Sequence, residues 1–188
     1  MAAGLAATDM ELAEALFRQG CFDLRNGEEL LKGNLVGKPE ALAMTQFQQA
    51  CEKALKAFIL LVVGRRVYGR KVKVTHWVWG VDLRDSRLKE PRTMLERLLP
   101  DVSALEKLEE LVPSRSWEKP NTEYPWVDRH AQVCVPAEYF ARAPECVKTA
   151  GRTAWAVVKA NGAAARFSKT WKAISIVYQV SPPGQRER

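Results

Sequence analysis

Residues 39–63, PEALAMTQFQQACEKALKAFILLVV, carry the strongest helical pattern of the 188-residue chain. Apolar side chains recur in them at steps of three and four residues, which places them on one face of a helix. This apolar stripe consists of Phe47, Cys51, Ala54, Phe58 and Leu61. Pro39 suits the first turn of a helix because its nitrogen has no hydrogen to donate. The pattern predicts an amphipathic helix with the stripe turned towards the core.

The opposite side of this predicted helix is polar. Gln49, Lys53 and Lys56 follow one another at i, i+4 and i+7, and Gln48, Glu52 and Lys56 at i, i+4 and i+8, so each set shares a face. The simplest interpretation is a surface ion pair between Glu52 and Lys56, which stabilises a helix by about 0.2–0.5 kcal/mol. The other interpretation is a polar face that meets an anion.

Further helices are expected on both sides of this one. Residues 9–32 show a second apolar stripe, capped by Thr8 or Asp9. Its members are Ala13, Phe17, Gly20, Leu24, Gly27 and Leu31. The later helices are predicted from Thr75 to about Leu88, from Pro91 with a restart at the capping box of Ser103, and from Pro136 or Pro144 to Asn161. Between the last two, residues 113–135 are predicted to form a long loop packed down by Trp117, Tyr124 and Trp126.

The fold class that follows is all-α, an up-and-down helical bundle of four to five helices. A chain of 188 residues with 47% hydrophobic residues has enough apolar surface for one core. We place the bundle at residues 9–162 and a C-terminal extension at 163–188. In that extension residues 172–180 have the composition of a strand, and the last residues are expected to be disordered.

Composition limits the classes of function. No apolar run reaches the roughly 18 residues that span a bilayer, and the acidic N-terminus lacks the pattern of a signal peptide, so we expect a cytoplasmic protein without membrane contact. The four cysteines are widely spaced, which favours reduced thiols and predicts no metal site and no cofactor. The net charge of +7 favours polyanionic ligands such as RNA or nucleotides.

Positive charge is concentrated in residues 64–80, GRRVYGRKVKVTHWVWG. Five of the nine residues from 65 to 73 are basic: Arg65, Arg66, Arg70, Lys71 and Lys73. We interpret the stretch as a loop at the end of the helix in which these cations and His76 converge on an anion, with Tyr68 and Trp77 stacking on a base. A solvated loop, with His76 bonding a backbone group at a helix start, is the alternative.

Three segments of the chain together resemble the HEPN domain family. They are Phe47–Ala57 (FQQACEKALKA), Thr75-His76 about twenty residues later, and Tyr124-Pro125. The resemblance covers roughly residues 9–160, and Glu123 stands where family members often carry an Arg. It implies a helical bundle, commonly a homodimer, that works beside a minimal nucleotidyltransferase and helps to hold the nucleotide. Other members are metal-independent ribonucleases with an Arg, four to six intervening residues and a His near the last helix.

A ribonuclease needs a His to move protons and an Arg to stabilise the charge of the transition state. Arg70 and His76 have the required spacing but precede the third helix. Arg129 and His130 lie in the required region but are adjacent, and adjacent side chains on a helix point about 100° apart. The chain contains neither a glycine-rich phosphate loop nor a D-x-D constellation, so nucleotidyltransferase chemistry has to come from a partner.

The preferred hypothesis is therefore a noncatalytic nucleotide- or RNA-binding HEPN module that acts with a separate minimal nucleotidyltransferase, in a toxin–antitoxin-like pair. A structural dimerisation domain without ligand and a metal-independent ribonuclease are the alternatives. No catalytic residue is assigned. The predicted nucleotide- and phosphate-binding residues are Gln49, Lys53, Lys56, Arg65, Arg66, Arg70, Lys73, His76 and Tyr124.

Overall fold

The computed structural model describes residues 2–33, 39–71, 89, 93, 96–97, 102–111 and 119–163; for residues 2–8, 61–71, 109 and 163 it describes the backbone alone. The described chain is all-α, as the sequence predicts, with one small hairpin. Its helices are α1 (Ala2–Lys32), α2 (Glu40–Lys71), α3 (Val102–Glu110), α4 (Pro136–Ala141) and α5 (Pro144–Ala163). The hairpin pairs β1 (Trp126–Val127) with β2 (Val133–Cys134) in antiparallel register.

Helices α1 and α2 run antiparallel and pack closely. On α1, Gly20 faces the backbone of Ala50 and Ala54, and Gly27 faces the ring of Phe47 farther back along α2. The predicted stripe of α1 is confirmed at Ala13, Phe17, Gly20, Leu24 and Gly27, which are all buried. It is wrong at Leu31, which is exposed near the end of the helix.

Helix α2 is the centre of the fold, because α1, α4 and α5 all pack against it. The predicted stripe is buried at Phe47, Cys51, Ala54 and Phe58, while the side chain of Leu61 lies outside the described residues. Burial also extends round the rest of the helix from residue 54 to residue 60, where every side chain is buried. The helix is therefore enclosed on the side that the sequence pattern assigned to solvent.

Two helix boundaries differ from the sequence predictions. Helix α1 already includes Thr8 and Asp9, which were predicted to cap it. Helix α2 continues to Lys71, so the first half of the basic stretch is helix and not loop. Gly64 and Gly69 lie within this helix, but each costs a helix only about 1 kcal/mol relative to Ala, and basic residues near a helix C-terminus complement the helix dipole.

The loop before α4 contains structure that the sequence prediction missed. Trp126 is buried, as predicted, and its ring meets that of Tyr139 edge to face with 5.0 Å between centroids. Tyr124, which was predicted to pack, is instead 56% exposed. In the hairpin turn, Asp128 Oδ1 accepts hydrogen bonds from the backbone N–H groups of His130 and Gln132, at 2.8 and 2.9 Å.

The two possible starts of the last helix are both used. Pro136 opens α4 and Pro144 opens α5, whose Gly151 contacts the ring of Phe47. Several predictions concern residues outside the described ones. They are the packing of Trp117, the third helix from Thr75 to about Leu88, most of the segment after Pro91, and residues 164–188. Within the described part of the chain, no helix is both long and apolar enough to cross a membrane.

Glu28 on α1 leads to a prediction about pH. Its Oε1 is buried and accepts no hydrogen bond from the described residues. Burial raises the pKa of this carboxyl above its usual value; nearby Lys32 opposes the shift, and Glu29 adds to it. Because the pKa is higher in the folded state than in the unfolded state, the stabilisation that protonation provides is present at low pH and is lost as the pH rises through the folded-state pKa.

Glu28→Gln is therefore expected to stabilise the protein at pH 7 by on the order of 0.5 kcal/mol, a modest value because water reaches part of this side chain. At pH 4 the variant and the parent are expected to have nearly equal free energies of unfolding. Urea unfolding of both proteins at the two pH values measures this difference. Equal stabilisation at both pH values, or a loss of stability at pH 7, would contradict the prediction.

Candidate functional site

Gln49 and Lys53 are brought together on the side of α2 that meets α1. Lys53 Nζ forms an ion pair with Asp23 and donates a hydrogen bond to Gln49 Oε1 at 3.0 Å. The second oxygen of Asp23 accepts a hydrogen bond from Gln19 Nε2 at 2.9 Å. Asp23 is only 4% exposed, so its carboxylate is stabilised mainly by these two side chains. An anion that approached Lys53 would compete with a carboxylate of the protein itself.

Lys56 and Glu52 form the ion pair that their i, i+4 spacing predicts. The predicted surface position is wrong, because the two side chains are 4% and 13% exposed. Lys56 lies in the stretch of α2 from residue 54 to residue 60, where every side chain is buried, and this explains the difference. Two opposite charges attract more strongly in the protein interior than in water, so Lys56 is tied to its own helix.

Gln48, the neighbouring polar residue, connects three parts of the fold. Its Nε2 donates to the carbonyl oxygen of Leu108 in α3 at 2.8 Å, and its Oε1 accepts from the Thr122 hydroxyl at 3.0 Å. Both polar atoms of this buried amide are thus satisfied. The sequence pattern placed Gln48 on a polar face but gave no signal for these distant partners.

The bond from Thr122 also places the loop of Tyr124 beside α2. Two residues of chain span at most about 7 Å, so the Cα atoms of Thr122 and Tyr124 are close together. Asn121 Oδ1 fixes this loop by accepting hydrogen bonds from the N–H groups of Glu123 and Tyr124, at 3.0 and 2.6 Å. The exposed phenol ring of Tyr124 thus projects from a backbone held beside the first third of α2, near Gln48.

The predicted arginines lie farther along the same helix. Arg65, Arg66 and Arg70 occupy the C-terminal turns of α2, which ends at Lys71. At 1.5 Å per residue, 12 to 17 residues separate them from Lys53 by about 18 to 26 Å along the helix axis. The helix therefore does not bring them to Lys53, as the predicted loop would have allowed. Lys73 and His76 lie outside the described residues.

Arg129 and His130 touch each other, contrary to the expectation from helical spacing. They sit in the hairpin turn, where Arg129 Nε donates to His130 Nε2 at 3.1 Å. Both side chains are exposed. The backbone N–H groups of Gln132 and His130 lower the pKa of Asp128, as does the nearby guanidinium group of Arg129, so its carboxylate stays ionised and holds the turn.

The described residues thus define an all-α protein with two separate polar regions on α2 and an exposed Arg–His pair on a hairpin. They include no group of three or more His, Cys, Asp or Glu side chains that could hold a metal ion. Comparison of the chain with protein-family models, with curated proteins and with solved structures gave no match.

Proposed function

We propose that the chain is a noncatalytic module that binds a nucleotide or RNA through the basic C-terminal segment of α2. The supporting observation is that the predicted cations fall into two groups with different surroundings. Lys53 and Lys56 are paired with carboxylates inside the bundle, whereas Arg65, Arg66 and Arg70 lie in helical turns beyond the described core. Four of the seven residues from 65 to 71 are basic.

The chemistry of these side chains suits phosphate. A guanidinium group makes two parallel hydrogen bonds to a phosphate. The exposed ring of Tyr124 lies beside Gln48, about 26 Å from Arg65 along the helix axis, so it stacks on a base only where the RNA extends back along α2. The resemblance to the HEPN family extends the proposal to the oligomeric state and the partner protein. The module acts in the cytoplasm as a homodimer and assists a separate minimal nucleotidyltransferase, as in a toxin–antitoxin pair.

Cations at the end of α2 also have a purely structural role, because they stabilise the C-terminus of a helix by about 0.3–1 kcal/mol. Binding therefore has to be measured separately from stability. We compare the variant in which Arg65, Arg66 and Arg70 are all replaced by Gln with a control in which exposed Lys119, Arg142 and Lys148 are all replaced by Gln. Both variants lose three positive charges, so a general effect of net charge cancels.

The arginine variant is expected to bind a fluorescein-labelled single-stranded RNA at least tenfold more weakly than the parent at 50 mM salt. Each phosphate contact with single-stranded RNA contributes about 0.7 to the slope of log affinity against log salt, so three lost contacts lower the slope by about 2. Fluorescence anisotropy measures both quantities. Equal losses in the arginine variant and the control, or an unchanged slope, would contradict the proposal.

A ribonuclease remains the second candidate, because Arg129 and His130 are in contact on an exposed turn. It predicts RNA cleavage in the presence of a metal chelator, abolished by His130→Ala or by His76→Ala. A structural dimerisation domain predicts instead a tight dimer in sedimentation and no binding of RNA, ATP or GTP.

A further inference from the structure

A cavity of about 350 Å³ lies between α3 and the first turns of α5, with Met44 of α2 also lining it. Several of the lining positions carry small side chains, among them Ala104 on α3 and Cys146 and Ala150 on α5; Lys107, Leu108 and Leu111 of α3 line the rest of that side. On α3 the lining residues 104, 108 and 111 are about one turn apart, and on α5 residues 146 and 150 are, so each helix presents one continuous face to the space. Short side chains on both faces leave the gap open.

The inner wall of this cavity is apolar. Met44, Leu108 and Ala150 are buried and supply hydrocarbon and thioether surface. An apolar cavity of about 150 Å³ holds a benzene molecule, so the space here is large enough for a flat ring system with a substituent. The volume also lies at the lower end of the range of about 300–1,000 Å³ that is typical of ligand pockets.

Among the described residues at the rim of the cavity, Lys107 is the charged side chain that has no ion pair. Glu145 is paired with Lys148 at 2.7 Å, and this hydrogen bond lowers the pKa of the Glu145 carboxyl. Lys107 makes no ion pair with any of the described residues. Thr149 accepts a hydrogen bond from Arg152 at 2.9 Å. An apolar interior beside an unpaired ammonium group suits a ligand that is apolar at one end and anionic at the other.

We propose that this cavity binds a small organic anion with a flat apolar body, whose carboxylate or sulfonate pairs with Lys107 and whose ring lies against Met44 and Leu108. The site is separate from the proposed RNA-binding segment. Met44 and Arg65 are 21 residues apart on one helix, which corresponds to about 32 Å. The inference therefore stands independently of the proposed function.

The probe for the test is 2-naphthoate, with uncharged 2-naphthamide as its matched analogue; calorimetry and NMR titration measure binding. Lys107→Gln is expected to weaken naphthoate binding about tenfold and to leave naphthamide binding unchanged. Lys119→Gln, which removes an exposed charge from the loop before β1, is the control and should bind naphthoate like the parent. Equal weakening by both substitutions would overturn the assignment of Lys107.

Cys146 provides a second readout that requires no substitution. It lines the cavity and is exposed, whereas Cys21 and Cys51 are buried. Saturating naphthoate is expected to slow alkylation of Cys146 by iodoacetamide at least fivefold and to leave that of Cys134 unchanged, as followed by peptide mass spectrometry. Cys146→Trp, which places a large ring in the space, is expected to abolish binding without a change in helical circular dichroism.

The proposal is overturned if naphthoate fails to bind at millimolar concentration, if it fails to protect Cys146, or if Cys146→Trp binds it as the parent does. Binding that is lost in Cys146→Trp but insensitive to Lys107→Gln would overturn the anionic part of the ligand assignment. The variant with Arg65, Arg66 and Arg70 replaced by Gln should bind naphthoate normally, which separates this test from that of the RNA site.

Discussion

Replacement of Phe47 by Ala is expected to lower the free energy of unfolding by about 3–5 kcal/mol, the cost of removing a fully buried aromatic ring. Phe47 is 1% exposed and lies where three helices meet. Its ring contacts Gly27 of α1 on one side and Gly151 of α5 on the other. For a chain of this length we expect a fall in Tm of about 10 °C.

The two glycines provide a sharper test of the same contact. A Cβ atom at Gly27 would lie 2.5 Å from Phe47 Cε1, and one at Gly151 would lie 3.1 Å from Phe47 Cζ, so the ring has little room to retreat. Overpacking of this kind typically costs about 1–3 kcal/mol. In the interior of a helix, Ala is otherwise favoured over Gly by about 1 kcal/mol.

Gly27→Ala is therefore expected to destabilise the parent but to stabilise the Phe47→Leu background, in which the smaller side chain leaves space for the methyl group. Asn26→Ala, at the exposed neighbouring position on α1, is the control for helix propensity and should be slightly stabilising in both backgrounds. Urea unfolding of the variants gives the coupling free energy. The packing explanation is refuted if Gly27→Ala has the same effect with Phe47 and with Leu.

The apolar periodicity of the sequence was sufficient to predict the buried faces of α1 and α2. Ala13, Phe17 and Leu24 are buried, and so are Phe47 and Phe58, because a stripe at steps of three and four residues is a local property of the helix. How many neighbours surround a helix is not a local property. The sequence pattern therefore identified the inner face of α2 but not the burial of Lys56 and Gln48.

The segments that were predicted wrongly also have physical explanations. Gly64 and Gly69 look like helix breaks, yet their cost is small beside the stability of a helix with 32 residues. The hairpin has strands of two residues each, too short for any alternation of apolar and polar side chains to appear. Its turn depends on the Asp128 carboxylate, and this turn is what brings Arg129 and His130 into contact.

The segment that carries the resemblance to the HEPN family, residues 47–57, has structural partners at nearly every polar position. Gln48 bonds Leu108 and Thr122, Lys53 pairs with Asp23, and Lys56 pairs with Glu52. The contacts of Gln48 and Lys53 join different elements of the bundle whether or not a nucleotide binds, and that of Lys56 stays within α2. The sequence alone could not show whether these polar side chains bind a ligand or stabilise the fold, because a buried partner such as Asp23 is distant in the chain.

Removal of either partner of the Asp23–Lys53 ion pair is also expected to lower the free energy of unfolding strongly. Breaking a buried pair costs about 3–5 kcal/mol, and the partial exposure of Lys53 reduces this to about 2–3 kcal/mol for Asp23→Leu or Lys53→Met alone. The double variant replaces the pair by apolar side chains and is expected to be close to the parent in stability. Lys32 and Glu29, an exposed ion pair on α1, serve as control, and their double replacement should change stability by less than about 0.5 kcal/mol.

The double variant Asp23→Leu/Lys53→Met also tests whether Lys53 contacts the ligand, because it removes the ammonium group from a protein that is expected to remain folded. If the RNA-binding surface is confined to the end of α2, this variant binds labelled RNA with the affinity and salt slope of the parent. A loss of binding in the folded double variant would instead place Lys53 in the binding site and would mean that RNA displaces Asp23. Additive effects of the two single substitutions on stability, measured by urea unfolding, would contradict the ion pair itself, since paired groups must show a coupling free energy.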